Sequence, residues 1–379
     1  MKKNIAIQKD PKIKVQSKYL KYLMPTKVYL QISKNAQMQV KKRNVLKGDI
    51  IYVDNNESFY SPISGTIDKI IPNNKDGFYL VIKNDFKENA TYKGLKEFTT
   101  IKIRTDFLNR IKECSLINYE ELKNIDYLLI NGIDDEPYIA NKMMIHTNFA
   151  QEIMQMVDIL KDAFKIKKVF FCLKETDRES IEKISDVIDI YDGIYLKIIA
   201  DVYPLSYNNV FQKYLSLSGS KKILTTEEIY ELYIEIIKER KKDTTFITIT
   251  GDIVENPLVI ETKIGTPLKE IIKENITLKS EDYTLILNGL LKGREASLEE
   301  VIIDEHIVAA YFMSKQIPKS LECIRCGKCI EVCPNNCNPY YCYLKKPKQH
   351  IKNCNECGLC TYICPSHIKL YDYIGGNNE

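Results

Sequence analysis

The sequence predicts a multidomain α/β and α+β protein that ends in a cysteine-rich helical unit. Three observations lead there. The chain has 379 residues, more than one hydrophobic core usually serves, so three or four domains are expected. Its middle alternates strand-like and helix-like segments, the rhythm of a mostly parallel sheet. Ten of its 12 cysteines fall between Cys323 and Cys364.

Residues 1–100 read as a β domain. KVYLQI, DIIYV, GTIDKII and FYLVIK are short apolar runs, parted by turn signals such as KGD and PISG. Residues 101–243 carry YLLING, a helical pattern around NFAQEIMQMVDILKDAF, then KKVFFCL, a helix at RESIEKISDVI, and IYLKII, as a Rossmann-like α/β domain would. Residues 244–312 run through FITITGDIV, ETKIGTPLKEIIKE, YTLILNG and HIVAAYFM, a small mixed α+β unit. Residues 313–379 hold the clustered cysteines.

Composition excludes more than it assigns. Hydrophobic residues at 44% and charged residues at 28% are ordinary for a soluble chain. A net charge of +4 gives no ground for a nucleic-acid partner. MKKNIAIQKDPKIKV has no apolar core of a secretory signal. No apolar run approaches the roughly 18 residues of a membrane span. A cytoplasmic chain is expected, free or seated peripherally on the inner face of the cell membrane. In that compartment, clustered cysteines point to metal rather than disulfides.

The cysteines repeat one pattern. CIRCGKCIEVCP begins at Cys323 and CNECGLCTYICP at Cys354, and both fit C-x₂-C-x₂-C-x₃-C-P. At this spacing three thiolates wrap one corner of a [4Fe–4S] cubane, and the fourth cysteine of each run reaches the other cluster. Cluster one is thus assigned to Cys323, Cys326, Cys329 and Cys364, and cluster two to Cys354, Cys357, Cys360 and Cys333. Gly327 and Gly358 let the backbone pass close to the sulfides. Pro334 and Pro365 end the ligand loops. Structural zinc would use four ligands, often as paired C-x₂-C knuckles with a long gap, and explains the three-plus-one runs poorly. Cys337 and Cys342 are read as small buried hydrophobes, with ligation by either the lesser alternative, Cys114 and Cys172 as core residues, and His350 and His367 as surface or packing residues.

The order of these regions, and several stretches within them, resemble the RnfC family of the Rnf ion-translocating electron-transport complex. CIRCGKCIEVCP and CNECGLCTYICPSHIKLYDYI are similar to that family's tail. VKKRNVLKGDIIYV and SPISGTIDKII resemble its barrel-sandwich hybrid domain. YLLINGIDDEPYI resembles its strand and acidic loop, and TITGDIVENP with IGTPLKEII its SLBB-like β-grasp unit. The resemblance implies a complex-I-flavoprotein-like α/β domain and a two-cluster ferredoxin-type tail. It also implies a flavin (FMN) that accepts hydride from NADH, with Asn131, Asp134 and Glu136 matching the pocket by position. A helix-capping and turn role for IDDEP is equally good chemistry. The family's glycine-rich phosphate loop has no counterpart: FTTIKIRTDFLNRIKECSL stands there, with no glycine between Gly94 and Gly132. That departure counts against FMN and NADH.

The expected function is therefore electron transfer through two [4Fe–4S] clusters, as in an Rnf-type complex. The alternatives are a flavin-dependent NADH-oxidising dehydrogenase and an electron donor to an amino-acid reductase such as proline reductase. Partners would be redox proteins: the other proteins of a membrane complex, a ferredoxin or flavodoxin, or a reductase. Arg325, Lys328, Lys345, Lys346 and Lys348 offer steering for an acidic one.

Overall fold

The computed structural model describes residues 5–55, 57–73, 77–91, 104–114, 116–134, 136–314, 319–345 and 348–375. The replaced glycine-rich stretch lies outside these up to residue 103, and continues as the helix Arg104–Glu113.

The first region holds two antiparallel sheets. Lys27–Ile32, Phe78–Asn84, Gly65–Pro72 and Asn44–Val45 make one, in that order, and Gln37–Met38, Ile50–Asp54 and Glu57–Tyr60 the other. Alternation in KVYLQI turns Val28, Leu30 and Ile32 inward. There they meet Ile51, Tyr52, Leu80 and Ile82 in a core common to both sheets.

The second region is a four-stranded, wholly parallel sheet in the order Ile194–Ile199, Lys168–Lys174, Tyr127–Asn131, Lys221–Thr225. The inner strands Tyr127–Asn131 and Lys168–Lys174 are largely apolar on both faces because both are covered, while the edge strand Ile194–Ile199 leaves Tyr195 and Ile198 exposed. Leu128 and Ile130 face the helices Asn141–Asn148, Ala150–Phe164 and Arg178–Ile188. Leu129 and Ile223 join Val210, Phe211 and Leu215 of the helix Asn208–Leu215 on the other side. Asp177 caps Arg178–Ile188 by accepting from Ser180 N at 3.3 Å. Thr225 and Glu228 form a reciprocal cap at the start of Thr226–Leu232.

The third region is a mixed six-stranded sheet, ordered Tyr19–Tyr22, Leu258–Lys263, Thr244–Thr250, Ala309–Met313, Thr284–Leu287, Arg294–Glu295. Helix Leu268–Asn275 packs Leu268, Ile271 and Ile272 against it. Its outermost strand comes from the N-terminal end: Tyr19–Tyr22 runs parallel to Leu258–Lys263, with Tyr19 opposite Val259. Buried Asp243 joins the first and third regions, 2.7 Å from both Lys47 Nζ and Lys263 Nζ. The fourth region consists of helices of one turn or little more: Lys328–Glu331, Pro339–Tyr343, Leu359–Tyr362 and Leu370–Ile374.

Candidate metal centres

The two cysteine runs fold as one device used twice. Arg325 and Glu356, at the same place in each run, have left-handed φ of 58° and 53°, and the glycines two residues on have 78° and 72°. This turn lets Arg325 N donate to Cys323 Sγ at 3.4 Å and Glu356 N to Cys354 Sγ at 3.3 Å. The glycines then open the helices Lys328–Glu331 and Leu359–Tyr362. Three residues past the last cysteine of each run, Asn336 and His367 are again left-handed, with φ of 56° and 52°. Side chains in this conformation cost on the order of 1 kcal/mol each. Their repetition at matching positions means that the ligand loops, not local preference, set the backbone.

The chain crosses between the two halves. Cys323, Cys326 and Cys329 share a cavity with Cys364, and Cys354, Cys357 and Cys360 share a second, narrower one with Cys333. Each wall is completed by the residues that follow the crossing cysteine: Pro365, Ser366, Ile368 and Leu370 in one, Pro334, Asn335, Cys337 and Pro339 in the other. A single tetrahedral ion needs sulfurs about 2.3 Å from a common point. Among the described residues no group of three thiols, imidazoles or carboxylates converges that way. Four thiols spread around a cavity fit a larger body, a cubane with one iron for each sulfur. Burial pushes the Cys357 thiol up to about 12, so ligation there must displace a bound proton.

The two cavities differ in surroundings. The second faces the parallel sheet. The Tyr203 hydroxyl donates to the Cys357 carbonyl. Asn209 and Asn355 exchange amide bonds of 2.7 and 2.6 Å, and Lys213 reaches Asn335 at 3.3 Å. Leu291, Val332 and Leu359 pack with Tyr203. The first cavity lies under exposed surface, where Leu321 and Ile324 are 64% and 68% exposed beside exposed Cys326, Arg325 and Lys328. Lys345 is exposed, while Lys346 and the side chain of Lys348 lie outside the described residues. Cys337 and Cys342 are buried at 3% and 5%. Cys114 and Cys172 are buried in the second region, and burial raises both thiols. His350 packs its ring 4.5 Å from Tyr341, and His367 is exposed.

The acidic loop sits elsewhere, at the sheet's switch point. Chain order reverses between Tyr127–Asn131 and Lys221–Thr225, where Asn131 pairs with Thr225, and open α/β sheets bind ligands at such a crevice. All three loop residues are engaged. Asn131 Nδ2 donates to the Ser206 carbonyl at 2.6 Å. Asp134 accepts from Lys142 N and Met143 N at 2.9 and 3.3 Å, capping Asn141–Asn148. Burial still raises its carboxyl to about 6. Glu136 Oε2 accepts from Leu291 N at 3.1 Å, with Gly289 packed so closely that a Cβ there would come within 2.3 Å of the carboxyl carbon.

A cavity of about 300 Å³ opens beside this crevice. Carboxylates dominate its described lining: Glu227, Glu231, Glu235, Asp243, Glu261 and Glu305 against Lys142, Arg240 and Lys242. Lys242 is already paired with Glu231 and Glu305, and Arg240 with Asp243. A nucleotide phosphate needs the opposite balance and free backbone amides. The residues described here do not fit one. Nothing in the sequence pattern pointed to buried His146 nearby, whose ring bridges Ser180 and Thr226 at 3.0 and 2.8 Å.

Comparison with known proteins finds a match in each of these two parts of the chain. The Nuo51 FMN-binding domain model matches residues 115–219, stopping short of the strand Lys221–Thr225 that walls the crevice. The 4Fe-4S binding domain model matches residues 320–341 and 351–372. The fold and these matches define an iron–sulfur protein with a complex-I-flavoprotein-like α/β unit. More narrowly, it is similar to the C components of ion-translocating oxidoreductase complexes. It is 26% identical over 374 residues to the C component of the ion-translocating oxidoreductase complex of Buchnera aphidicola subsp. Acyrthosiphon pisum, covering 87% of this chain and 77% of that one. It is 25% identical over 258 residues to the same component from Pectobacterium atrosepticum, covering 61% and 36%. It is 23% identical over 235 residues to the C component of the Na(+)-translocating ferredoxin:NAD(+) oxidoreductase complex of Acetobacterium woodii, covering 57% and 52%. The chain thus spans between about a third and three quarters of the length of these curated relatives. A solved NAD+-reducing [NiFe]-hydrogenase in the air-oxidized state shares 10% identity at a TM-score of 0.49, over 71% of this chain and 54% of that one. Among the described residues no helix is long and apolar enough to cross a membrane.

Proposed function

We propose that the chain is an electron-transfer component of an Rnf-type complex, relaying electrons through two [4Fe–4S] clusters. Cys323, Cys326, Cys329 and Cys364 hold one, and Cys354, Cys357, Cys360 and Cys333 the other. The observation that carries the reading is the pairing of cavities, each walled by three cysteines of one run and one of the other. A bound [4Fe–4S] cluster supplies reversible one-electron transfer. The protein's part is to hold the thiolates and direct N–H groups at their sulfurs. It also keeps the second site dry against the α/β unit and leaves the first near the surface. In this reading the barrel-sandwich hybrid expected of residues 1–100 is the pair of sheets within Lys27–Asn84, and residues 244–312 form an SLBB-like β-grasp. The chain is cytoplasmic and docks on the inner face of the membrane complex. A redox partner with an acidic rim meets the first site over Leu321 and Ile324, where Arg325 and Lys328 complement its charge. The acidic cavity at the switch point disfavours the alternative of an NADH-oxidising flavoprotein.

One anaerobic preparation tests both halves. About eight irons per chain and no FMN absorption are expected. Markedly fewer irons, or zinc in their place, would sink the cluster assignment. A yellow protein bleached by NADH would restore the flavoprotein reading.

A further inference from the structure

The second cavity contains five thiols, one more than a cubane needs. Besides Cys333, Cys354, Cys357 and Cys360 it is lined by Cys337. The repeated geometry shows why that residue faces the site. Cys337 stands four residues after the crossing cysteine Cys333, as Ile368 stands four after Cys364, and Ile368 lines the first cavity from that position. The left-handed Asn336 and His367 immediately before them give both the same approach. Where one half presents an inert aliphatic side chain, the other presents sulfur. Cys337 is 3% exposed, and its own N–H donates to Cys333 Sγ at 3.3 Å, so it is tethered to the ligand it stands beside. Cys342, equally buried, lines neither cavity and has no such position.

We propose that Cys337 is a reserve ligand of the second cluster, able to take the iron that Cys333 otherwise holds. This rests on the two-cluster reading above. In the exchange the Cys337 thiol gives its proton to solvent and its sulfur bonds iron. The Cys333–iron bond breaks and Cys333 takes up a proton. No electron moves. The position suits a site that must keep four ligands when its crossing cysteine is lost to oxidation or alkylation.

The test uses the full chain, reconstituted anaerobically with ferrous iron and sulfide, and reads iron content and the EPR spectrum of the reduced protein. Wild type and Cys337→Ala should both hold about eight irons, and Cys333→Ala should also keep about eight with an altered spectrum for one cluster. Cys333→Ala/Cys337→Ala should fall to about four. So should Cys364→Ala, whose neighbour four residues on is Ile368 and offers no sulfur. About eight irons in wild type with about four in Cys333→Ala overturns the reserve ligand and leaves the two-cluster reading intact. Markedly fewer than eight in wild type overturns both. A Cys333→Ala chain that fails to fold while Cys364→Ala folds also counts against the proposal, since a replacement ligand should make it the less damaged of the two.

Discussion

His146 shows how a single buried side chain sets the response to acid. Burial holds its imidazole down to about 3, with the Lys142 charge adding to the effect. The unfolded chain titrates near 6.5. As pH falls below that value the unfolded state takes up a proton that the folded state refuses. The stabilisation is therefore complete above about 6.5 and declines towards pH 3. Asp134, raised to about 6, pulls the other way over part of the range, so the comparison with a variant isolates the histidine. His146→Gln should cost on the order of 1–2 kcal/mol at pH 7 and flatten the loss between pH 6.5 and 4.5. Urea midpoints across that range check it, and an unchanged slope would remove His146 as the cause. Nothing in NKMMIHTN announces this role. Asn141, Lys142 and His146 are buried alongside Met144 and Ile145, so the helix has no apolar stripe for periodicity to find.

At the scale of elements the two cysteine runs are twins with unequal neighbours. A Cβ on Gly327 would meet nothing within 4 Å, whereas one on Gly358 would lie 2.3 Å from the Leu291 carbonyl oxygen. Against protein atoms Gly327→Ala should therefore meet only the left-handed strain, about 1 kcal/mol, any further loss coming from the cluster cavity that Gly327 lines. Gly358→Ala should cost at least twice that, because the Asn288–Gly293 loop is anchored by Glu136 and cannot retreat. Melting temperature and iron retention under a chelator would rank the two, and equal losses would contradict the packing described. Strands and helices with a clean period were legible in the sequence: RESIEKISDVI is the helix Arg178–Ile188, and KVYLQI the strand Lys27–Ile32. KKILT was not, since only Ile223 and Leu224 mark the strand Lys221–Thr225. The cysteine runs were legible because their geometry is local. The contacts of Glu136 with Leu291 and of Tyr203 with Cys357 join residues 155 and 154 positions apart, and no spacing rule reaches them.

Across the whole molecule, Asp243 acts as a buried tie between regions. It is 6% exposed, with Lys47 and Lys263 both within 2.7 Å, and burial draws Lys263 down to about 8 despite the carboxylate beside it. Asp243→Asn would remove the carboxylate that Lys47, Lys263 and Arg240 share, a loss of about 3–5 kcal/mol. Denaturant unfolding should show it nearly independent of salt, because buried pairs are poorly screened. A loss below about 1 kcal/mol, or one abolished by salt, would mean that water enters the cluster. The six-stranded sheet has a consequence of another kind. Its outer strand, Tyr19–Tyr22, pairs with a partner 240 positions later. At about 5–20 residues per second, a growing chain leaves that strand waiting roughly 12–48 s for Leu258–Lys263 to emerge. The intervening parallel sheet and first β region can close meanwhile on nearer partners. A strand made early is thus paired late, and an open strand edge accompanies the chain while the intervening residues are made.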